Sequence, residues 1–287
     1  MSEVKSIAVI GAGIMGSGIT YTAALAGIRA YLIDVVPGQL EKAQKYHAKT
    51  LGRAVEKQKM TQEQADAAQA LITYHSDMAE AKDADWAVEA ATENVELKKQ
   101  IYAQMKETFG PDVVLATNTS SISITDIATA VGDAADRVIG MHFFNPVPVM
   151  KLVEVIKGLS TSEETTKRTL ELAERMGKSP VPANDRAGFV ANRILMPMIN
   201  EAFYAWMEGV AEPEHIDQIM MLGMAHPMGP LRLADLIGLD VCHHIMMVLY
   251  DELGHDKYFP CPLLRQLVTA GRLGNKTGIG VYDYSKK

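Results

Sequence analysis

IAVIGAGIMG, residues 7–16, is the stretch of sequence that decides the fold of this chain. A short apolar run leads into closely spaced glycines, and an alanine-rich amphipathic stretch follows them as far as about residue 27. A second apolar run, residues 30–33, ends at Asp34. Two strands joined through a glycine-rich turn and a helix predict a βαβ unit, since parallel strands need a crossover connection.

The glycine spacing of this turn points to a dinucleotide. Gly11, Gly13 and Gly16 follow the G-x-G-x-x-G pattern, in which backbone N–H groups at a helix N-terminus approach a pyrophosphate. Asp34 stands where a carboxylate binds the adenosine ribose 2′-OH and repels a 2′-phosphate. The combination predicts NAD(H), in preference to NADP(H) and to a glycine-rich turn without a ligand.

The rest of the chain divides by pattern into two parts. Apolar runs at residues 84–91, 113–117, 137–141 and 151–156 alternate with helical patterns at residues 94–108 and 163–176. This alternation predicts an α/β fold, a Rossmann-type doubly wound and mostly parallel sheet. Only helical patterns follow, at residues 189–208, 214–222, 231–253 and 262–270. We therefore expect an NAD-binding domain over residues 1–184 and an all-helical C-terminal domain over residues 185–287.

Composition and charge limit the classes of function. The 287-residue chain has a net charge of −7, which argues against a nucleic-acid partner because phosphate binding needs a basic field. Cys242 and Cys261 lack metal-ligand spacing, so we expect no metal site and reduced thiols, as in the cytoplasm. Residues 6–28 carry no charge, but their glycines favour a strand-turn-helix over a signal peptide or membrane helix. A soluble cytoplasmic protein with no membrane partner is expected.

One predicted helix concentrates positive charge. It begins near Gly38 and carries five cations, three or four residues apart along one face: Lys42, Lys45, Lys49, Arg53 and Lys57. We call this set the basic stripe. It fits a bound anion, but the pattern alone favours a solvated face balanced by Glu41 and Glu56.

Polar side chains follow two later strands at their carboxyl ends, where ligands bind in open α/β sheets. Residues 118–121 could line a site or cap the next helix, and Ser123 could supply that cap instead. His142 follows the next strand, and Glu154 lies on the apolar face of the strand after it, where a carboxylate needs a partner. Paired with Glu154, the imidazole of His142 would be the acid/base for hydride transfer to a carbonyl. A purely structural His–Glu pair is the alternative.

With these residues assembled, the chain resembles the 3-hydroxyacyl-CoA dehydrogenase family, and in particular its stand-alone bacterial members, over essentially its whole length. The motifs that carry the resemblance are GAGIMG (11–16), EAATEN (89–94), TNTSS (117–121), MHFFNP (141–146), GFVANR (188–193), HPMGP (226–230) and KTG (276–278). The resemblance implies an NAD(H)-dependent enzyme that interconverts short-chain (S)-3-hydroxyacyl-CoA and 3-ketoacyl-CoA.

The resemblance also implies a role for individual residues. His142 is then the acid/base held by Glu154, with Ser121 and Asn192 at the substrate oxygen in a cleft between the domains. Cofactor contacts are implied for Gly11, Ala12, Gly13, Ile14, Met15, Gly16, Asp34, Glu93, Lys98, Asn118, Ser121, Asn145 and Lys276. Thr50, Arg53 and Lys57 match positions that hold the CoA nucleotide, which reverses the preference for a solvated face. The helical domain would bind substrate and form a homodimer or larger homo-oligomer.

Two other functions fit parts of the sequence. A dehydrogenase of a free hydroxy acid, such as the gulonate or carnitine dehydrogenases, would share the scaffold but would not need the basic stripe. A non-catalytic NAD-binding protein would be expected to lose His142 or Glu154, and both are present.

Overall fold

The computed structural model describes residues 3–285, which divide into two compact units at the boundary between Asp185 and Arg186. The sequence-based boundary, after residue 184, lies one residue earlier. The first unit is built on one β-sheet, and the second is helical.

The sheet of the first unit has the order β3-β2-β1-β4-β5-β6-β7-β8. Its strands are β1 (Ser6–Ile10), β2 (Arg29–Ile33), β3 (Ile72–His75), β4 (Trp86–Glu89), β5 (Val114–Thr117), β6 (Val138–Phe143), β7 (Leu152–Lys157) and β8 (Ser179–Asn184). Neighbouring strands are parallel except β6 and β7, which are antiparallel. The predicted Rossmann-type, mostly parallel sheet is confirmed. The strand order reverses between β1 and β4, which is where such sheets bind ligands.

Helices cover the sheet of the first unit. They are α1 (Ile14–Leu25), α2 (Pro37–Glu56), α3 (Gln62–Ala70), α4 (Val95–Thr108), α5 (Ile124–Ala128) and α6 (Glu163–Arg175). Asn94 caps α4, and Ser123 caps α5 by accepting a hydrogen bond from the amide of Asp126, as the sequence allowed. Because Ser123 supplies the cap, the side chains of residues 118–121 are not needed for it.

Three elements of this unit were not predicted. Helix α3 and strand β3 are short, and β8 contains Pro180 and Pro182. Proline cannot donate to a strand ladder, so a segment with two prolines lacks the usual sequence signal of a strand. Among residues 3–285, strand β8 is at the edge of the sheet and pairs only with β7, so its prolines remove no hydrogen bond to a strand on the other side.

The first turns of α1 lie so close to neighbouring residues that two of their glycines could not carry a side chain. A Cβ atom on Gly16 would lie 1.8 Å from the carbonyl oxygen of Gly11. One on Gly18 would lie 2.8 Å from Cβ of Val147, in the loop between β6 and β7. Glycine is required at both positions because these approaches leave no volume for a side chain.

The second unit consists of α7 (Ala191–Met207), α8 (Pro213–Gly223), α9 (Pro230–Ile237), α10 (Leu239–Leu253) and α11 (Pro262–Thr269), which enclose their own apolar core. The single helix predicted over residues 231–253 was wrong. Gly238 separates α9 from α10 with a φ of 107°, a conformation that an apolar periodicity does not reveal. Within residues 3–285 no single helix is long and apolar enough to cross a bilayer; α9 and α10 qualify only as a pair, bent by 97°.

Two buried carboxylates organise the end of the helical unit. Asp217 accepts hydrogen bonds from the amides of Leu231 and Arg232, at the start of α9, and from the hydroxyl of Tyr282. Asp235 accepts from the amides of Val281 and Tyr282. The segment after α11 is thereby fastened to two helices.

We expect Gly16→Ala to lower the free energy of unfolding of the first unit by ~1–3 kcal/mol, the cost of overpacking a closely packed site. The matched control is Gly52→Ala in α2, where a Cβ meets nothing within 4 Å. That change should raise stability by ~0.5–1 kcal/mol, since alanine favours a helix over glycine. Urea unfolding followed by Trp86 fluorescence in a Trp206→Phe background measures both. Equal effects of the two substitutions would contradict the packing argument.

Candidate active site

The predicted pair of His142 and Glu154 is formed. The two residues lie directly opposite each other in the antiparallel β6–β7 ladder, so their side chains project from the same face. Nδ1 of His142 is 2.8 Å from Oε2 of Glu154. Both residues are buried, with 7% and 4% of their surface exposed. The carboxylate that interrupts an apolar strand thus has an imidazole as partner.

This geometry assigns the two imidazole nitrogens of His142. Nδ1–H donates to the carboxylate of Glu154, which fixes the tautomer and supports a positive charge on the ring. Nε2 is then the nitrogen that can give up or take a proton. The ring of Phe144 packs against the imidazole with centroids 4.6 Å apart, which restricts its orientation.

Asn118 joins three strands at the carboxyl edge of the sheet. Its side-chain oxygen accepts a hydrogen bond of 2.9 Å from the amide of Phe143, next to His142. Its own amide donates to the carbonyl of Glu89. Asn118 therefore ties the end of β5 to the ends of β4 and β6. Ser121 lies half-buried in the same loop.

Glu93 holds the loop that follows β5. Its carboxylate accepts hydrogen bonds from the hydroxyl of Thr119 at 2.7 Å and from the amide and hydroxyl of Ser120 at 2.7 and 2.9 Å. Glu93 is itself exposed, between β4 and α4. The structure thus brings Glu93, Asn118 and Ser121 to one edge of the sheet, where Asn118 contacts the residue next to His142.

A buried ion pair at the same edge was missed in the sequence. Glu89, which is 0% exposed, accepts from the ammonium of Lys98, from the hydroxyl of Thr117 at 2.9 Å and from the amide of Ala91 at 2.8 Å. Glu89 ends an apolar strand as Glu154 interrupts one. A carboxylate on an apolar strand needs a partner, so the same pattern also predicts a partner for Glu89. The ammonium of Lys98 also donates to Thr117 at 3.3 Å, and its contact with a cofactor stays a prediction.

The glycine turn fits a dinucleotide. Gly13 is the N-cap of α1 and provides no side-chain cap, and the first turn of α1 has no acidic residue, which suits an anion at the helix N-terminus. A Cβ on Gly13 would meet nothing within 4 Å, so the approach to the turn is open. The carboxylate of Asp34 accepts from the amides of Ala12 and Val36 at 2.8 and 2.9 Å. Asp34 is thereby held beside the turn, and its contact with a ribose stays a prediction.

A buried histidine fastens the helix of the basic stripe to this turn. His47, in α2, is 0% exposed, and its two ring nitrogens lie 2.8 Å from the carbonyl of Ser17 and 2.8 Å from the hydroxyl of Tyr74. Burial lowers the pKa of His47, and the carbonyl of Ser17 opposes this in part. The neutral ring donates through Nε2–H to Ser17 and accepts from Tyr74. Helix α2 therefore has a fixed position relative to α1.

The basic stripe is exposed to solvent along α2 and ends at Lys57, the residue that follows the helix as its C-cap. All five cations are exposed. In the part of the chain that the structure describes, none of them forms an ion pair, and Glu41 and Glu56 do not neutralise them. The hydroxyl of Thr50 donates to the carbonyl of Tyr46, one turn earlier. The stripe is thus an uncompensated positive surface on an acidic protein.

Two of the predicted site residues, Asn192 and Lys276, belong to the helical unit. Asn192, in the first turn of α7, is 8% exposed. The ammonium of Lys276 lies 2.6 Å from a carboxylate oxygen of Asp240. Their roles stay predictions. Residues 3–285 contain no group of three or more His, Cys, Asp or Glu side chains that could hold a metal ion.

Comparison with known proteins covers both units. Residues 6–186 match the model of the NAD binding domain of 3-hydroxyacyl-CoA dehydrogenase, and residues 188–284 match the model of its C-terminal domain. A probable 3-hydroxybutyryl-CoA dehydrogenase of Bacillus subtilis is 53% identical over 285 residues, 99% of each chain. A 3-hydroxybutyryl-CoA dehydrogenase of Clostridioides difficile is 47% identical over 98% of this chain and 99% of that protein.

Structural comparison agrees with these matches. The crystal structure of (S)-3-hydroxybutyryl-CoA dehydrogenase from Ralstonia eutropha superposes with a TM-score of 0.95 at 46% identity, over 99% of this chain and 100% of that one. The resemblance noted from the motifs is confirmed. Sequence and fold together show that the chain belongs to the 3-hydroxyacyl-CoA dehydrogenase family.

Proposed function

We propose that this protein is an NAD(H)-dependent dehydrogenase that interconverts a short-chain (S)-3-hydroxyacyl-CoA, 3-hydroxybutyryl-CoA in the first instance, with its 3-ketoacyl-CoA. The observation that carries the proposal is the 2.8 Å contact between Nδ1 of His142 and Glu154 at the edge of the sheet where the glycine turn lies. A protein that only bound a dinucleotide would have no use for a buried imidazole held in one tautomer there. The relatives with this name point to the same reaction.

The mechanism follows from the groups around His142. Bound NADH supplies the hydride that reduces C3 of the 3-ketoacyl group. His142, protonated at Nε2, donates its proton to the oxygen on C3, and Glu154 stabilises the imidazolium before the transfer. In the oxidative direction neutral His142 accepts the hydroxyl proton instead.

Hydrogen bonds complete the site around the reacting oxygen. We place the hydroxyl of Ser121 and the side-chain amide of Asn192 there, where they would stabilise negative charge as it develops. Asp34 and the glycine turn would hold the adenosine ribose and the pyrophosphate. Glu93, Lys98, Asn118, Asn145 and Lys276 are proposed as further cofactor contacts.

The basic stripe supports a CoA thioester in preference to a free acid. CoA carries several phosphate charges, and the five exposed cations of α2 have no carboxylate partner among the residues that the structure describes. We propose that Arg53 and Lys57, with Thr50 nearby, hold the CoA nucleotide. His47 would keep this helix in place relative to the glycine turn.

We also propose that the protein forms a homodimer through its helical unit. Helix α8 exposes large apolar side chains, with Ile219 60% and Leu222 78% accessible, and Met224 follows at its end with 61%. An exposed apolar surface of this kind is typical of an interface. A cytoplasmic location fits Cys242 and Cys261, which are unpaired and buried. Burial raises the pKa of Cys242 to about 12, which keeps it a thiol.

Steady-state reduction of acetoacetyl-CoA and of free acetoacetate, each with NADH and with NADPH, tests the function. We expect acetoacetyl-CoA with NADH to give the highest kcat/KM, because the stripe attracts CoA and Asp34 repels a 2′-phosphate. Equal or better turnover of free acetoacetate would favour the hydroxy-acid dehydrogenase. A clear preference for NADPH would contradict the assigned role of Asp34.

The CoA contact makes a separate prediction. Arg53→Ala and Lys57→Ala should each raise KM for acetoacetyl-CoA with little change in kcat, because they remove binding and leave the chemistry intact. The increase should shrink as salt is raised, since exposed charges are screened at distances of about 10 Å in 0.1 M salt. Lys167→Ala, on α6, is the matched control. An unchanged KM in the Arg53→Ala, Lys57→Ala double variant would show that the stripe is a solvated face that does not bind CoA.

The sharpest prediction concerns His142 and Glu154. His142→Ala should lower kcat by about a hundred- to ten-thousandfold, the usual contribution of general acid–base catalysis. NADH binding, followed by fluorescence titration, should be unchanged. Glu154→Gln should lower kcat less, and its reductive activity should be lost at lower pH than in the wild type, because its imidazolium lacks the supporting carboxylate.

The double variant separates this account from structural damage. It should be little slower than His142→Ala alone, because the two residues act as one unit. Near-wild-type kcat in His142→Ala would overturn the assignment. So would a Glu154→Gln pH profile displaced to higher pH.

A further inference from the structure

A buried lysine that has no role in the proposed mechanism contacts the loop that follows His142. Lys178, between α6 and β8, is 8% exposed. Its ammonium donates to the carbonyls of Val147 and Met150, the latter at 2.9 Å. Over residues 3–285 Lys178 has no carboxylate partner, and burial lowers the pKa of its ammonium, with the nearby charge of Lys151 adding to the effect.

The carbonyls that bind Lys178 belong to a single tight turn. The amides of Val149 and Met150 both donate to the carbonyl of Pro146, so the backbone makes one helical turn. The carbonyls at the end of such a turn lack backbone partners and carry partial negative charge. The ammonium of Lys178 satisfies two of them, as a basic side chain does at a helix C-terminus.

This turn connects the two halves of the candidate site in the first unit. It begins at Pro146, and the two residues before it are Phe144, whose ring packs against His142, and Asn145. Val147, in the same turn, is 2% exposed. Its Cβ would lie only 2.8 Å from a Cβ atom placed on Gly18 in α1. The turn therefore contacts α1, the helix of the dinucleotide turn. A displacement of this turn would therefore shift both the imidazole of His142 and the proposed cofactor site.

We propose that Lys178 is a positioning residue of the dehydrogenase. Its buried ammonium fixes the turn at residues 146–150, and through it the preceding Phe144, which packs on His142, and Asn145, the proposed cofactor contact. The inference rests on the proposed function, because the turn affects catalysis only if His142 is the acid/base. An aliphatic side chain at position 178 would leave two backbone carbonyls without their donor. An exposed lysine would not serve, since water would compete for those carbonyls.

The test compares Lys178→Met with Lys151→Met, a matched control that removes a neighbouring exposed ammonium. Hydrogen–deuterium exchange followed by mass spectrometry, without cofactor or substrate, reports on the amides of Val149 and Met150. We expect faster exchange in the peptide spanning residues 143–151 of Lys178→Met, with other peptides unchanged. Lys151→Met should resemble the wild type. Unchanged exchange in this peptide, or an equal acceleration throughout the chain, would overturn the proposal.

Kinetics and chemical rescue provide the second readout. Lys178→Met should lower kcat and raise the Kd for NADH, each by about tenfold, the size expected when a hydrogen bond from a charged group is lost. In Lys178→Ala, added ethylammonium should restore part of kcat and slow the exchange, whereas ethanol should restore neither. If the variant were only generally destabilised, ethylammonium and ethanol would have the same effect on kcat and exchange. Equal effects of the two additives would therefore refute a positioning role.

The same experiment separates this inference from the proposed function. If the wild-type protein failed to reduce acetoacetyl-CoA with NADH, the proposed function would be wrong, and with it a positioning role in that reaction. If the wild type is active and Lys178→Met keeps both its kcat and its Kd for NADH, only the role of Lys178 is refuted. Should Lys178→Met not fold, Lys178→Gln replaces it, with the same expected directions.

Discussion

The close packing of the first turns of α1 is the constraint on which the candidate site depends. The carbonyl of Gly11 occupies the place of a side chain on Gly16, and a Cβ on Gly11 would lie 2.6 Å from Cα of Ala91 in the loop after β4. Gly18 packs in the same way on Val147. One helix thus sets the position of its own turn, of the loop after β4 and of the loop after β6. The glycine turn, Glu93 and Asn145, which are all proposed to contact the cofactor, lie in these segments.

The change of strand direction between β6 and β7 brings the proposed acid/base and its carboxylate partner together. Because β7 turns back beside β6, Glu154 comes directly opposite His142, and the pair forms across a ladder instead of across a flexible loop. A parallel β7 would have required a crossover helix between the two residues. The antiparallel pair therefore places the proposed acid/base at the edge of the sheet that also carries the glycine turn.

Much of this arrangement could be predicted, because its signals are side-chain patterns. The βαβ unit follows from apolar periodicity and glycine spacing, and the His142–Glu154 pair from a carboxylate on an apolar strand. The break at Gly238 could not be read from periodicity. Strand β8 lacks a strand signal because it contains two prolines, which its edge position permits. Lys178 left no pattern at all, because its partners are backbone carbonyls 28 and 31 residues away.

The central claim is that His142 and Glu154 serve hydride transfer to C3 of a 3-ketoacyl-CoA. The most direct measurement is the product formed from acetoacetyl-CoA and NADH that carries deuterium at both C4 positions, analysed by mass spectrometry and chiral chromatography. The account predicts (S)-3-hydroxybutyryl-CoA with deuterium bound to C3. Formation of the R enantiomer, or a product without deuterium at C3, would contradict it.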